Sequence, residues 1–354
     1  MSESQRFLEA LNIQIPIIQA PMAGVSTPQL AAAVSNAGAL GSISIGASTS
    51  SQAKRMFSEV LALTTQPFNV NVFCHQPPQR DLDKETKWID FLKPLFTEVG
   101  AVAPNSLSEI YKSFLNDQET FSMLLKLRPQ ILSFHFGIPS SEQLKALREA
   151  GIYTLATATS LEEAKQIEDA GINAIVAQGI EAGGHRGLFH PDSQDECLST
   201  STLIQLLTKQ SKLPIIAAGG IMDGQSIRAA LDLGAVAAQM GTAFILCPES
   251  AASNNYRENL KSDRSRRTQL TSVISGRPAR GMVNRLITVG ESANSPIPPS
   301  YPVAYDAAKQ LNLAAAKQGN HEFSAQWAGQ GAPLARELPA PELIKTLVQE
   351  LNSL

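Results

Sequence analysis

The loop QGIEAGGHRG, Gln178 to Gly187, places His185 behind two glycines and just beyond an apolar run. No helix face or apolar stripe would hide a side chain there, so His185 reads as a functional histidine that exchanges a proton or holds a polar group. The remaining histidines read differently: His135 sits inside the apolar run ILSFHF as a satisfied core residue, and His75, His190 and His321 fall in segments that read as surface. No second histidine or carboxylate stands at ligand spacing from His185, Glu181 being the close carboxylate, so no metal is expected. Two further turns, Gly219-Gly220 and Gly241-Thr242, each follow an apolar run. Bare backbone N–H groups at such places can cradle a phosphate, although a tight turn alone also uses Gly-Gly. Asn71, Gln178 and Gln239 end other runs, and each offers both an N–H and a C=O. A flavin pyrimidine edge is a ring such amides suit; the alternative is that they only satisfy backbone groups nearby.

Tyr301, Tyr305 and Lys309 follow at i, i+4 and i+8, which predicts one stripe on a helix. Two phenols and an ammonium would recognise a small anion, while an amphipathic helix with a snorkelling lysine is the structural alternative. Tyr111 and Tyr256 lie in two irregular excursions that could overhang the same place. The basic stretch from Arg257 to Arg285 lacks interleaved aromatics in a chain of net charge −3, so a solvated face or an anion-attracting rim is expected rather than nucleic-acid binding.

The elements that must position these groups repeat. Apolar runs at 15–19, 40–45, 68–73, 131–136, 152–156, 174–178, 214–218 and 236–240 are separated by helical stretches with recognisable caps: Thr27 before Pro28, and capping boxes at Ser140/Gln143 and Ser160/Glu163. Runs that are apolar nearly throughout call for a parallel sheet covered by helices, and eight is the number that closes a barrel. The fold class expected is therefore α/β, a TIM-type (β/α)8 barrel, with an open doubly wound sheet as the alternative. A GxGxxG fingerprint after the first run is absent, which gives a dinucleotide-binding Rossmann fold little support. In barrels the working residues stand at the C-terminal ends of the strands, where all the glycine turns above fall. Residues 75–128 read as extra helices over one rim. The chain changes character at about 246, so a barrel of 1–245 plus 335–354 is expected, with a smaller, mainly helical substrate-capping domain at 246–334 inserted before the last barrel helix.

With 354 residues, 43% hydrophobic and 17% charged, the chain can bury a large core, which excludes disorder. No apolar run reaches the length of a membrane span, and the first residues lack a basic segment followed by an apolar one, so no membrane partner and a cytoplasmic location are expected. Cys74, Cys197 and Cys247 form no CxxC or Cys/His cluster, which argues against a disulfide framework or structural zinc. A monomer or homodimer is expected.

Taken in order, QAPMAGVSTPQLAAAVSNAGALGSI, NVNVF, QGIEAGGHRG, AAGGI and AAQMGTAF resemble the nitronate monooxygenases over nearly the whole chain. The resemblance implies a TIM-type barrel with a second domain and non-covalent FMN, held by Ala20, Pro21, Met22, Asn71, Gln178, Gly183, Gly219, Gly220, Gln239, Met240, Gly241 and Thr242, with His185 at the active site. SGRPARG and the tyrosines resemble class I members, which implies a pocket of Tyr111, Tyr256, Tyr301, Tyr305 and Lys309 for a small anionic nitronate, propionate 3-nitronate being the first choice. The implied chemistry passes one electron from nitronate to FMN and on to O2, giving a carbonyl compound and nitrite. FMN-dependent NAD(P)H reductases of the enoyl-ACP or quinone type are similar in barrel and GGH loop and stand as the alternative.

Overall fold

The computed structural model describes residues 1–353. In chain order its strands are β1 (Ile17–Gln19), β2 (Gly41–Ser44), β3 (Phe68–Phe73), β4 (Ile131–His135), β5 (Tyr153–Ala158), β6 (Ala174–Gln178), β7 (Gly184–His185), β8 (Ile215–Ala218), β9 (Ala237–Met240), β10 (Thr268–Thr271) and β11 (Ala279–Met282). Eight of them pair in parallel in the order β1-β9-β8-β6-β5-β4-β3-β2. The Ile18–Leu40 bridge brings β1 back beside β2, so the sheet closes into a TIM-type barrel. All eight expected runs supply a barrel strand, and the open sheet is excluded.

Burial explains why the strands are apolar on both sides. Ile17, Ile43, Val70, Leu132, Ala156, Ile175 and Ile215 pack outward against helices, while Ile18, Leu40, Ile131, Leu155, Val176 and Ile216 form a second set. Phe7 and Leu11 join that second set from the N-terminal helix Glu3–Leu11, whose Ser4 hydroxyl donates to the carbonyl of Val236. The helix is started by a capping box of Ser2 and Gln5. The last helix, Ala340–Asn352, packs against the helices Pro28–Asn36 and Gly224–Asp232, which gives it the place of the eighth barrel helix. Leu354 of the expected segment lies outside the described residues.

A second core lies beyond the barrel strands. Trp88, Leu92 and Phe96 from the helix Leu82–Glu98 meet Ile274, Leu286, Val303 and Leu311 there, so the excursion after β3 and the later segment pack together. β10 and β11 form an antiparallel pair, and β11 also pairs with β7, the strand that carries His185. The later segment is thus fastened directly to the active-face loop. Three of its basic residues serve structure: Arg257 donates to the carbonyls of Leu246, Cys247, Ser250 and Ala252, while Arg277 is 2% exposed and Arg280 7%. Lys261, Arg264, Arg266 and Arg267 of the same stretch are exposed, so the expected solvated basic face holds for those four and not for Arg257, Arg277 and Arg280.

Candidate active site

A cavity opens at the C-terminal ends of the barrel strands, and all the residues expected to hold FMN line it: Ala20, Pro21 and Met22 after β1, Asn71 in β3, Gln178 and Gly183 around the end of β6, Gly219 and Gly220 after β8, and Gln239, Met240, Gly241 and Thr242 at the end of β9. Backbone dominates one side of it. Among the described residues, the N–H groups of Gly220, Gly241 and Thr242 donate to no protein acceptor. Gly219 and Gly220 hold φ of +132° and +70°, which L side chains rarely adopt. At Gly183 a Cβ would meet the Gly329 nitrogen at 2.5 Å, so glycine also lets the loop from the later segment close against the wall.

The three amides divide. Asn71 donates to Ser133 Oγ at 3.1 Å and accepts from Ser44, and Gln178 donates to the His185 carbonyl at 3.0 Å while accepting from the Gly187 N–H at 2.8 Å. Those two carry out the structural duty that the sequence left open. Gln239 makes no side-chain hydrogen bond among the described residues and faces the cavity free to donate and accept. Free N–H donors, side-chain-free walls and an uncommitted amide suit a phosphate-bearing heterocycle, so the cradle fits a flavin mononucleotide.

His185 is fixed from both ends. Its carbonyl accepts from Gln178 and from His135 Nε2 at 3.1 Å, and its own Nε2 lies 2.9 Å from Ser275 Oγ. Next to it, Arg186 is 1% exposed and makes a two-pronged pair with Asp195, with further bonds to the carbonyls of Gln178 and Gly179. Glu163 accepts from the Phe189 N–H at 2.8 Å and from Thr159, so its carboxylate bypasses the Ser160 N–H that a capping box would use and pins the far end of the His185 loop. Ser160 still caps its helix as expected.

Rings surround the imidazole. Phe136, Tyr301, Tyr305 and Trp327 have centroids 5.6, 5.4, 6.2 and 5.2 Å from it. Phe136 holds φ of +72°, rare for a bulky residue, and lies under the Arg277 guanidinium at 4.3 Å. Burial, with the charges of His135, Arg277 and His75 beside it, lowers the His185 pKa to about 3. His75 and His135 fall to about 4, again chiefly through burial. His75 is therefore not at the surface: it is 1% exposed, its ring edge-on to Tyr301 at 5.0 Å, with neither nitrogen hydrogen-bonded. The polar, proline-rich segment after it hid that burial. His190 and His321 are exposed, and His135 has partners on both nitrogens, as expected, but it also lines the cavity.

The expected stripe needs correction at one end. Tyr301 precedes Pro302, which disfavours helical backbone at the residue before it, and the helix runs Val303–Ala316. The three side chains nevertheless converge: Lys309 Nζ lies 4.9 Å from the Tyr111 ring centroid and 5.4 Å from that of Tyr305, and Tyr111 stands 6.4 Å from Tyr301. Burial raises the pKa of Tyr111 and of Tyr305 to about 12 and lifts that of Tyr301 well above its ordinary value, so all three stay phenols. Tyr256 lines the cavity itself and donates to the Trp327 carbonyl. Trp327, Ser275 and Phe136 were missed in the sequence because their neighbours come from distant segments.

Comparison with known proteins covers nearly the whole chain. A model of the nitronate monooxygenase family matches residues 4–350. The chain belongs to that family. A nitronate monooxygenase of Pseudomonas aeruginosa is 57% identical over 99% of both chains, and a probable nitronate monooxygenase of Bacillus subtilis is 35% identical over 97% of this chain and 98% of its own. Among solved structures, nitroalkane oxidase from Streptomyces ansochromogenes superposes with a TM-score of 0.89 at 37% identity, covering 98% of each chain. FabK from Thermotoga maritima follows the fold less closely, with a TM-score of 0.74 at 28% identity over 98% of this chain and 96% of its own. This family member is an oxidoreductase. No helix among its described residues is long and apolar enough to cross a membrane, and no group of three or more His, Cys, Asp and Glu is set to hold a metal.

Proposed function

We propose that this chain is an FMN-dependent nitronate monooxygenase that converts small anionic nitronates, propionate 3-nitronate first among them, with O2 into a carbonyl compound and nitrite. The observation that carries the reading is the cavity wall, where free N–H groups, Gln239 and His185 face one space. When bound, FMN supplies the one-electron acceptor and the donor to oxygen. The chain supplies position and potential. Gly220, Gly241 and Thr242 would take the phosphate on backbone N–H groups, and Gln239 would meet the ring edge. His185, held rigid between Gln178, His135 and Ser275, marks where the nitro end of the substrate sits. Tyr301 and Tyr305 adjoin that histidine, Tyr111 and Lys309 pack on those tyrosines, and the four, from 246–334 and the excursion after β3, supply a polar, cationic rim for a carboxylate, while Tyr256 lines the cavity. Residues 246–334 thereby act as the substrate cap. The three free cysteines suit a reducing cytoplasm.

Purified protein should be yellow, release FMN on denaturation and liberate nitrite from propionate 3-nitronate without a pyridine nucleotide. Rapid bleaching of the flavin by NADH, with no nitrite from the nitronate, would instead assign it to the reductases that share the barrel.

A further inference from the structure

The histidine that faces the cavity is oriented by a residue from outside the barrel. Ser275 is fully buried, and its Oγ stands 2.9 Å from His185 Nε2, 3.0 Å from the Arg277 carbonyl and 3.4 Å from the Arg277 N–H. A hydroxyl has one proton to give and two lone pairs to receive with, so these contacts fill its capacity. Only one assignment leaves nothing wanting. Among the described residues no other group donates to the Arg277 carbonyl, so the serine proton belongs there. Turning that proton toward the histidine would strip a buried carbonyl of its donor, which is unfavourable. The remaining contact must then be His185 Nε2–H donating to Ser275 Oγ.

We propose that Ser275 is a positioning residue that holds His185 as the Nε2–H tautomer and turns its unprotonated Nδ1 to the cavity. Among the described residues Nδ1 has no hydrogen-bond partner, and it is not sealed among the buried atoms that lack one, while the residue itself lines the cavity. A neutral ring offering a lone pair is a proton acceptor and a geometric stop rather than a clamp for an anion. Positive potential for an anionic substrate then falls to Lys309 on the neighbouring tyrosines. The inference rests on His185 being the active-site histidine of the proposed function, and it makes the later segment part of the reaction centre through one hydroxyl.

The test is nitrogen NMR on 15N-histidine-labelled protein with its flavin bound, the His185 signals being identified by their loss in His185→Gln. At pH 7 the spectrum should show protonated Nε2 and unprotonated Nδ1. Ser275→Ala should move it toward exchange between tautomers, and Ser275→Thr, which keeps the hydroxyl, should restore the original pattern. A wild-type ring protonated on Nδ1 overturns the proposal even if neither variant folds, and so does a Ser275→Ala spectrum identical to the wild type. In turnover of propionate 3-nitronate, which has no proton left to lose, Ser275→Ala should lower kcat roughly ten-fold with little change in KM, as expected for a ring that no longer sets the position of the nitro end. A raised KM at unchanged kcat overturns it by making the ring a binding contact. Because the tautomer is read without substrate, an Nε2–H ring in a protein that releases no nitrite would count against the proposed function and leave the Ser275 assignment standing.

Discussion

On one side of the barrel mouth the cavity wall is backbone: glycines and strand ends whose N–H groups are left free by the way parallel strands run out. On the other side, around His185, it is a nest of side chains brought from just beyond β3 and β4, from β7, from the stretch after β10, and from the helix Val303–Ala316 with Tyr301 before it. The first region stands on the closed barrel, with the Gly329 loop of the later segment closing against it at Gly183. The second exists only if the excursion after β3 and the segment beyond β9 fold onto the barrel together, and its charge is held down by burial. Damage to the first should therefore cost a ligand, and damage to the second should cost a proton state or a substrate preference.

The largest effect expected belongs to the nest. His75, with a pKa lowered to about 4 by burial and then by the Arg277 charge, is neutral when folded and titrates near 6.5 when unfolded. Between those values the unfolded chain binds more protons, so its contribution is fully present above about pH 6.5 and is lost as pH falls toward 4. His75→Phe should retain on the order of 2–3 kcal/mol of the stability that the wild type loses between pH 7.5 and 4.5. Denaturant melts at the two pH values check this, and equal acid losses in both proteins would remove His75 from the account.

Next comes the cradle. Gly241 has ordinary backbone, and a Cβ there meets only Ala20 and Met22 at 3.5 and 3.6 Å, so Gly241→Val should fold. Its methyls would fill space meant for the cofactor, at a cost of about 1–3 kcal/mol, or roughly 10–100-fold in flavin affinity. Titration of flavin into apoprotein measures the change. Unaltered affinity would move the phosphate away from the strand end of β9.

The same contrast decides what the sequence could disclose. Strand ends were legible because an apolar run closed by glycine or an amide is a local pattern, whereas the twelve residues of the cradle came as a set from the family resemblance, and barrel closure brings them to one cavity. His185 was legible too, standing alone in a glycine-rich loop. Ser275, Phe136 and Trp327 carry no local mark; only pairing of β7 with β11 and closure of the later segment bring them to the histidine. His75 was misread for the complementary reason, since a polar neighbourhood in sequence became an aromatic one in space. The i, i+4, i+8 spacing put Tyr301 on the helix, whereas Pro302 after it favours extended backbone there and the helix begins at Val303.

A smaller effect should follow from loosening the support of His185 without touching its side chain. Thr157 Oγ1 donates to His135 Nδ1 at 3.0 Å, which leaves Nε2–H to donate to the His185 carbonyl at 3.1 Å. Thr157→Val keeps the shape and removes the donor, so stability should fall by about 1 kcal/mol. Activity should change only a few-fold, because Gln178 still holds the same carbonyl. A much larger loss in kcat would show that His135 acts on the bound ligands and not through the backbone.

The smallest effect, and the most selective, is expected at Lys309. Its ammonium is exposed and rests on the rings of Tyr111 and Tyr305, so water weakens whatever it attracts. Exposed ion pairs are worth about 0.2–1 kcal/mol, so Lys309→Ala should raise the KM for propionate 3-nitronate by roughly two- to five-fold. An alkyl nitronate without the carboxylate should keep its KM if, as proposed, the nitro end sits against His185 and the cavity wall. The ratio of the two KM values isolates the rim from the reaction centre. If it does not move, the carboxylate is read elsewhere, and the buried Arg277 at 4.3 Å from the Phe136 ring becomes the cation to test. If both KM values rise together, Lys309 holds the tyrosines in place, and the nest, unlike the cradle, depends on its rim for its shape.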